Sequence, residues 1–231
     1  MTIRSGVTVW LCSRDEVLAL VRASPFDEGE LLTPGDESAL ALTTHAEARE
    51  ARRSARLLLR LLLGTYYRRE VARTEFTYGA HGKPSLDAVG QALEPGLDFS
   101  LSHSREFVAV ALSHAGPVGV DVEEGVCTPE RAARLAPRVL DPETLALFLS
   151  LSPSESVGFF LSQWTAREAL LKATGEGLTR DPRTLAVPPL DTGTPVRDGA
   201  FSVTLLMARP ATSVAAATGA TITLFAGRIG S

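Results

Sequence analysis

Two carboxylates stand two residues apart in the stretch VGVDVE. Read as a strand, it turns Val118, Val120 and Val122 one way and Gly119, Asp121 and Glu123 the other. Like charges on one strand face repel, and a hard divalent cation between them removes the conflict. A third acid, Glu168, lies in WTAREALLKATGEGL. At 3.6 residues per turn it shares a helix face with Leu161, Trp164 and Leu171. A carboxylate in such a stripe needs a cation, a metal or a solvent-facing interface. Lys172 follows four residues later, His103 sits in FSLSHS, and Arg49, Arg53, Arg56 and Arg60 fall within a narrow sector of one helix. Acids that hold a metal, beside His, Lys and Arg that hold phosphates, suit phosphoryl-type transfer, where charge neutralisation and positioning carry most of the catalysis.

Each signal has a plainer reading. Asp121 and Glu123 fit a solvated strand face. Glu168 fits an exposed i,i+4 partner of Lys172, worth little. His103, on one strand face with Phe99 and Leu101, fits a core-edge histidine satisfied by a backbone carbonyl, although a protonated histidine is also a good phosphate donor. The arginine stripe fits a solvated face paired with Glu47 and Glu50 as well as it fits bidentate phosphate binding.

The elements that must position these residues follow from local pattern. GVTVWLC alternates and reads as a first strand. Residues 37–67 read as helical, with a break near Thr43 and Thr44. TYGAHGKPSLD is a turn-rich loop. Residues 98–124 read as three short strands, turning near Ser104–Arg105 and Ala115–Pro117. Two helices follow, with Thr128 and Asp141 as N-caps and Pro129 and Pro142 in their first turns, and then the helix through Trp164, stopped at Gly175 and Gly177. Residues 180–200 read as a loop, and FSVTLLMA, TSVAAAT and TITLFA as strands. The order implies an α+β fold of two similar halves, 1–115 and 116–231, each packing helices on a small antiparallel sheet. A faint likeness of rhythm between the two meanders is consistent with pseudo-twofold symmetry.

Bulk properties narrow the classes. The 231 residues and 45% hydrophobic content suit one large or two small globular units. A net charge of −4 gives no general footprint for nucleic acid. No run of ~18 apolar residues is present to span a membrane. The N-terminus lacks a basic start followed by a long apolar core, so no signal peptide is expected. Cys12 and Cys127 are the only cysteines, and they suggest neither a disulfide framework nor a zinc site. A reduced, cytoplasmic monomer is the expectation.

GKP at 82–84, FSLSHS at 99–104, GVDVEE at 119–124 and FLSQWTAREALLKATGEGL at 160–178, in this order and spacing, make the sequence resemble a 4′-phosphopantetheinyl transferase of the surfactin-synthetase type. The resemblance implies two fused α+β units related by pseudo-twofold symmetry, with the active site and coenzyme A in the cleft between them. It implies Mg²⁺-dependent transfer of the phosphopantetheine arm to a serine of an apo acyl or peptidyl carrier protein, with release of adenosine 3′,5′-bisphosphate. By the same resemblance Asp121, Glu123 and Glu168 are metal ligands and Glu168 is also the base. Lys172 contacts the phosphates, Ser102 and His103 form a phosphate-binding pair, and Lys83 lies near the nucleotide. Arg167 stands where the family usually has lysine. Asp36 and Ala39 stand where some relatives place lysines for the 3′-phosphate of coenzyme A, which leaves Arg53 and Arg56 of the arginine stripe as candidates for that contact. The alternatives are a homologue that binds coenzyme A or a carrier protein without catalysis, and a different Mg²⁺-dependent nucleotide-binding enzyme.

Overall fold

The computed structural model describes residues 6–86, 96–124 and 127–226. Residues 1–5, part of the N-terminal stretch read above for a signal peptide, lie outside the described residues, as does Asp87 at the end of the turn-rich loop. In chain order the elements are β1 (Val7–Ser13), α1 (Arg14–Ala23), α2 (Glu28–Leu31), α3 (Pro34–Ala41), α4 (Ala46–Tyr66), α5 (Arg69–Arg73), β2 (Thr77–Tyr78), β3 (Pro84–Ser85), β4 (Asp98–His103), β5 (Phe107–Ser113), β6 (Val118–Glu123), α6 (Pro129–Val139), α7 (Pro142–Ser150), α8 (Pro153–Thr174), β7 (Pro195–Asp198), β8 (Phe201–Ala208), β9 (Ala211–Ala217) and β10 (Ile222–Ala226).

The expected α+β architecture holds. Two four-stranded sheets, ordered β10-β1-β5-β4 and β6-β9-β8-β7, carry the helices. The second is antiparallel throughout, as are the β1–β5 and β5–β4 pairs of the first. One addition was not expected: β10, from the last stretch of the chain, pairs parallel with β1. The sheets face each other. Val7, Val9 and Leu11 of β1 meet Val118, Val120 and Val122 of β6 in one apolar layer. The other side of the first sheet, with Trp10, Cys12 and Val110, packs on α1 and α4. The other side of the second packs on α8 through Val203 and Ala215 against Ala166, Ala169 and Leu170. The layers therefore run helix, sheet, sheet, helix.

Local chemistry sets the boundaries. The helical stretch breaks between Ala41 and Ala46, as the paired threonines suggested. Thr128 and Asp141 cap α6 and α7 by accepting first-turn backbone N–H groups. Gly175 ends α8 in the left-handed region at φ 72°, which a side chain would disfavour. Helix α1 was not anticipated, although Ser13 and Glu16 form a capping box at its start. No helix among the described residues is long and apolar enough to cross a membrane. Cys12 and Cys127 are not joined in a disulfide.

Candidate active site

The two sheets meet at an edge strand from each, β4 and β6, and side chains stitch the seam. The backbone N–H groups of Val118, Val120 and Val122 donate to Asp98 Oδ2 (2.7 Å), Ser100 Oγ (3.1 Å) and Ser102 Oγ (3.4 Å). The alternating polar residues of β4 thus satisfy an edge that would otherwise be open. Lys83 Nζ closes one end of the seam on Asp98 Oδ2 (2.6 Å) and the Val118 carbonyl (3.1 Å).

On its other side β6 lies directly under α8. A Cβ at Gly119 would collide with the carbonyl oxygen of Ala169 and the backbone nitrogen of Ala173. Only glycine permits this approach. It brings Lys172 onto β6, where Nζ donates to Asp121 Oδ1 (2.7 Å) and to the Val120 carbonyl (3.1 Å). Ser102 Oγ donates to the same carboxylate oxygen (2.7 Å). Lys172 is therefore the partner of Asp121, not of Glu168 one turn away.

The valines and acids of β6 divide between faces as period-two alternation requires, but the apolar stripe of α8 differs from expectation. Its fully buried positions include Thr165, Ala166, Arg167, Ala169 and Leu170, while Leu161, Trp164 and Glu168 are half-buried. α8 packs against the second sheet on one side and against α6 and α7 on the other.

Two buried carboxylate oxygens here, Asp121 Oδ2 and Glu168 Oε1, have no hydrogen-bond partner. Such atoms cost free energy unless something meets them. Burial, and then the charge of Asp121, push the Glu168 carboxyl above its ordinary value. The same two causes raise Glu123 to about 7, against opposing contributions from Lys172 and a hydrogen bond from Trp164. Among the described residues no three acid, histidine or cysteine side chains converge into a ready cage for a metal ion. The charge of Asp121 acts on both Glu123 and Glu168, but the three acids are not assembled into a triad. Mg²⁺ does not require such a cage, since it is held by one or two carboxylates together with water and substrate phosphates. Two buried carboxylate oxygens without partners fit that donor set.

A cavity of about 760 Å³ opens next to Asp121. Arg52, Arg56, His81, Lys83, His103 and Lys172 line it, with Leu40, Tyr78, Phe99 and Leu101 supplying apolar wall. Its size suits an extended organic ligand, and its cations suit phosphates. His103 stands in this wall but departs from the expected protonated donor. Burial, then the positive charges of Arg52 and Lys172, push its pKa down to about 4. At neutral pH the imidazole is uncharged and offers one N–H.

The arginine stripe divides. Arg60 is fully buried; its Nε donates to Asp36 Oδ2 (2.8 Å), one Nη to the carbonyls of Ala72 (2.8 Å) and Thr74 (2.6 Å), and its guanidinium stacks 3.7 Å from the Phe76 ring centroid. Arg56 shares Asp36 and also donates to Tyr78 Oη (3.2 Å), while keeping a place on the cavity wall. Arg53 pairs with Glu37 (2.9 Å) and is not on that wall. The stripe sinks because α4 is buried on every side from Leu57 to Leu63, enclosed by the first sheet and by α1, α2 and α5. Arg52, which sequence reasoning passed over, does reach the cavity. It lies just outside the sector that helical periodicity picked out, and no sequence signal marked it. Gly119 was a legible signal, since glycine within a strand often marks close backbone approach.

Comparison with known proteins agrees with these motifs. The family model of the 4′-phosphopantetheinyl transferase superfamily matches residues 117–215, which hold β6, α8 and the acids. A 4′-phosphopantetheinyl transferase from Nostoc sp., HetI, is 35% identical over 127 residues, covering 55% of this chain and 52% of that protein. A putative 4′-phosphopantetheinyl transferase from Synechocystis sp. is 31% identical over 176 residues, covering 74% and 65%. Sfp, a 4′-phosphopantetheinyl transferase from Bacillus subtilis, is 24% identical over 123 residues, covering 53% and 51%. The chain thus spans between about half and two thirds of the length of these relatives.

Proposed function

We propose that this chain, whose residues 117–215 belong to the 4′-phosphopantetheinyl transferase superfamily, moves the 4′-phosphopantetheine group of coenzyme A to a serine of an apo acyl or peptidyl carrier protein and releases adenosine 3′,5′-bisphosphate. The observation that carries the reading is the pair of unsatisfied buried oxygens, Asp121 Oδ2 and Glu168 Oε1, the first of them on a residue of the cation-lined cavity wall. Mg²⁺, held by Asp121, Glu123 and Glu168, would supply neutralisation of the pyrophosphate charge. Arg52, Arg56 and Lys83 bind coenzyme A in the cavity through its phosphates and nucleotide. Ser102 and Lys172 fix the Asp121 carboxylate, and Lys172 and the His103 N–H face the charge that develops on the leaving group. Glu168 accepts the proton of the carrier serine. The serine oxygen bonds to the phosphorus nearer the pantetheine, and the bond from that phosphorus to the bridging pyrophosphate oxygen breaks.

The test is incubation with coenzyme A, Mg²⁺ and a panel of apo-carrier proteins, followed by intact mass spectrometry. A phosphopantetheine mass gain on a carrier, absent without Mg²⁺, is expected. Binding of coenzyme A with no mass gain on any carrier would sink the transferase reading in favour of a binding homologue.

A further inference from the structure

Arg167, immediately before Glu168, is fully buried and does not reach the cavity. One Nη donates to Asp141 Oδ2 (2.8 Å); the other donates to Gln163 Oε1 (2.5 Å) and the Gln163 carbonyl (3.3 Å). Gln163 is also fully buried, and its amide donates onward to the Pro188 carbonyl (3.0 Å). Asp141 is the N-cap of α7, where it accepts from the backbone N–H groups of Glu143 and Thr144 and from Thr144 Oγ1. An unbroken polar chain thus runs from the start of α7, through α8, to the segment after it.

We propose that Arg167 is a positioning residue that fixes the rotation of α8 about its axis, so that Glu168 is aimed at Asp121. Successive helix residues point ~100° apart, so anchoring one side chain on the α7 side sets the direction of the next. A second anchor, Thr165 Oγ1 to Ser213 Oγ (2.9 Å), holds the sheet side of the helix. Stability alone does not explain the arrangement. Arg167 Nε has no partner, and a buried ion pair is often replaceable by apolar side chains without loss. A planar fork bonded to two rigid acceptors does supply direction, which an apolar contact does not.

The inference rests on the transfer reading above. The test uses the full chain with an apo-carrier protein that the wild type modifies. Arg167→Lys keeps the charge but loses the fork. Asp141→Asn removes the charge partner but keeps the cap, since Asn caps as well as Asp. Each is expected to lower kcat by about tenfold to a hundredfold, the scale of misplaced catalytic groups, with KM for coenzyme A within about twofold of wild type. The double variant should lose no more than the worse single one, because both break one link. Arg167→Met leaves Gln163 Oε1 and Asp141 without their donor, so its metal-free unfolding temperature should fall, and its kcat should be no higher than that of Arg167→Lys. A readout independent of turnover is the rise in unfolding temperature on adding Mg²⁺ alone, which should shrink in all three variants. A folded Arg167→Lys protein with wild-type kcat overturns the inference. So does raised KM for coenzyme A at unchanged kcat, which would make Arg167 a phosphate ligand. A wild type that modifies no carrier overturns the underlying reading instead, and is distinguished by failing before any variant is compared.

Discussion

Helices α4 and α8 both carry charge into the interior, with opposite outcomes. On α4, the donors of Arg60 are spent on Asp36, on two carbonyls and on Thr33, and its face lies over an aromatic ring. Asp36 is equally occupied, accepting from Arg60, Arg56 and the Thr33 N–H. Burial by itself would raise its carboxyl, but the hydrogen bond and charge of Arg60, then Thr33 and Arg56, outweigh it and hold the group below its ordinary value. On α8, Glu168 keeps an oxygen without a partner, and burial and the charge of Asp121 raise its pKa against the smaller opposing charge of Lys172. A closed set of partners marks charge that serves the fold. An open set marks charge that awaits a ligand.

The largest expected effect falls on the open side. Asp121→Ala should abolish transfer at every Mg²⁺ concentration while circular dichroism shows an intact fold. Near-normal turnover would remove Asp121 from the metal and blur the contrast. Next comes the closed side. Arg60→Ala strands Asp36 in the interior, and urea unfolding at neutral pH should show a loss of about 3–5 kcal/mol, the range for breaking a buried pair. Because the folded state depresses the Asp36 pKa, its contribution is complete above its ordinary value of 3.8 and lost as pH falls through the folded value. Unfolding followed from neutral pH down into that range should be steeper in the wild type than in Asp36→Asn. Equal acid slopes would show that the cluster is not closed electrostatically.

Glu168→Gln should slow single-turnover transfer by roughly 10² or more, as expected for loss of a general base. Its metal-free unfolding temperature should stay level or rise, because a carboxyl that resists ionisation has been replaced by a neutral amide. A wild-type rate would return Glu168 to an ordinary surface role. The smallest expected effect separates two neighbouring arginines. Arg52→Ala should raise KM for coenzyme A about tenfold, equivalent to ~1.4 kcal/mol of charge-assisted bonding, and should matter less with 3′-dephospho coenzyme A if the 3′-phosphate is its partner. Arg53→Ala, off the cavity wall and paired with Glu37, should change KM by less than about twofold, as surface pairs are worth little. Equal losses in both variants would mean that periodicity read the stripe better than the folded packing does.

What the sequence determined by itself is the chemistry that depends on near neighbours. Strand alternation put Asp121 and Glu123 on one face, side-chain acceptors at Thr128 and Asp141 started two helices, Gly175 ended a third, and the paired threonines marked the break before α4. These are decided within a few residues, where backbone geometry leaves few choices. Tertiary structure alone decided which charges are consumed. Lys172 had a legitimate local partner in Glu168 at i−4, yet it reaches Asp121, 51 residues away, because Gly119 lets α8 settle on β6. Arg60 had the same periodicity as Arg53, yet it is buried against Asp36, 24 residues away, because α4 is enclosed on all sides at that turn. A charge takes its value from whichever groups exclude water around it, and in a folded chain those groups come from distant segments.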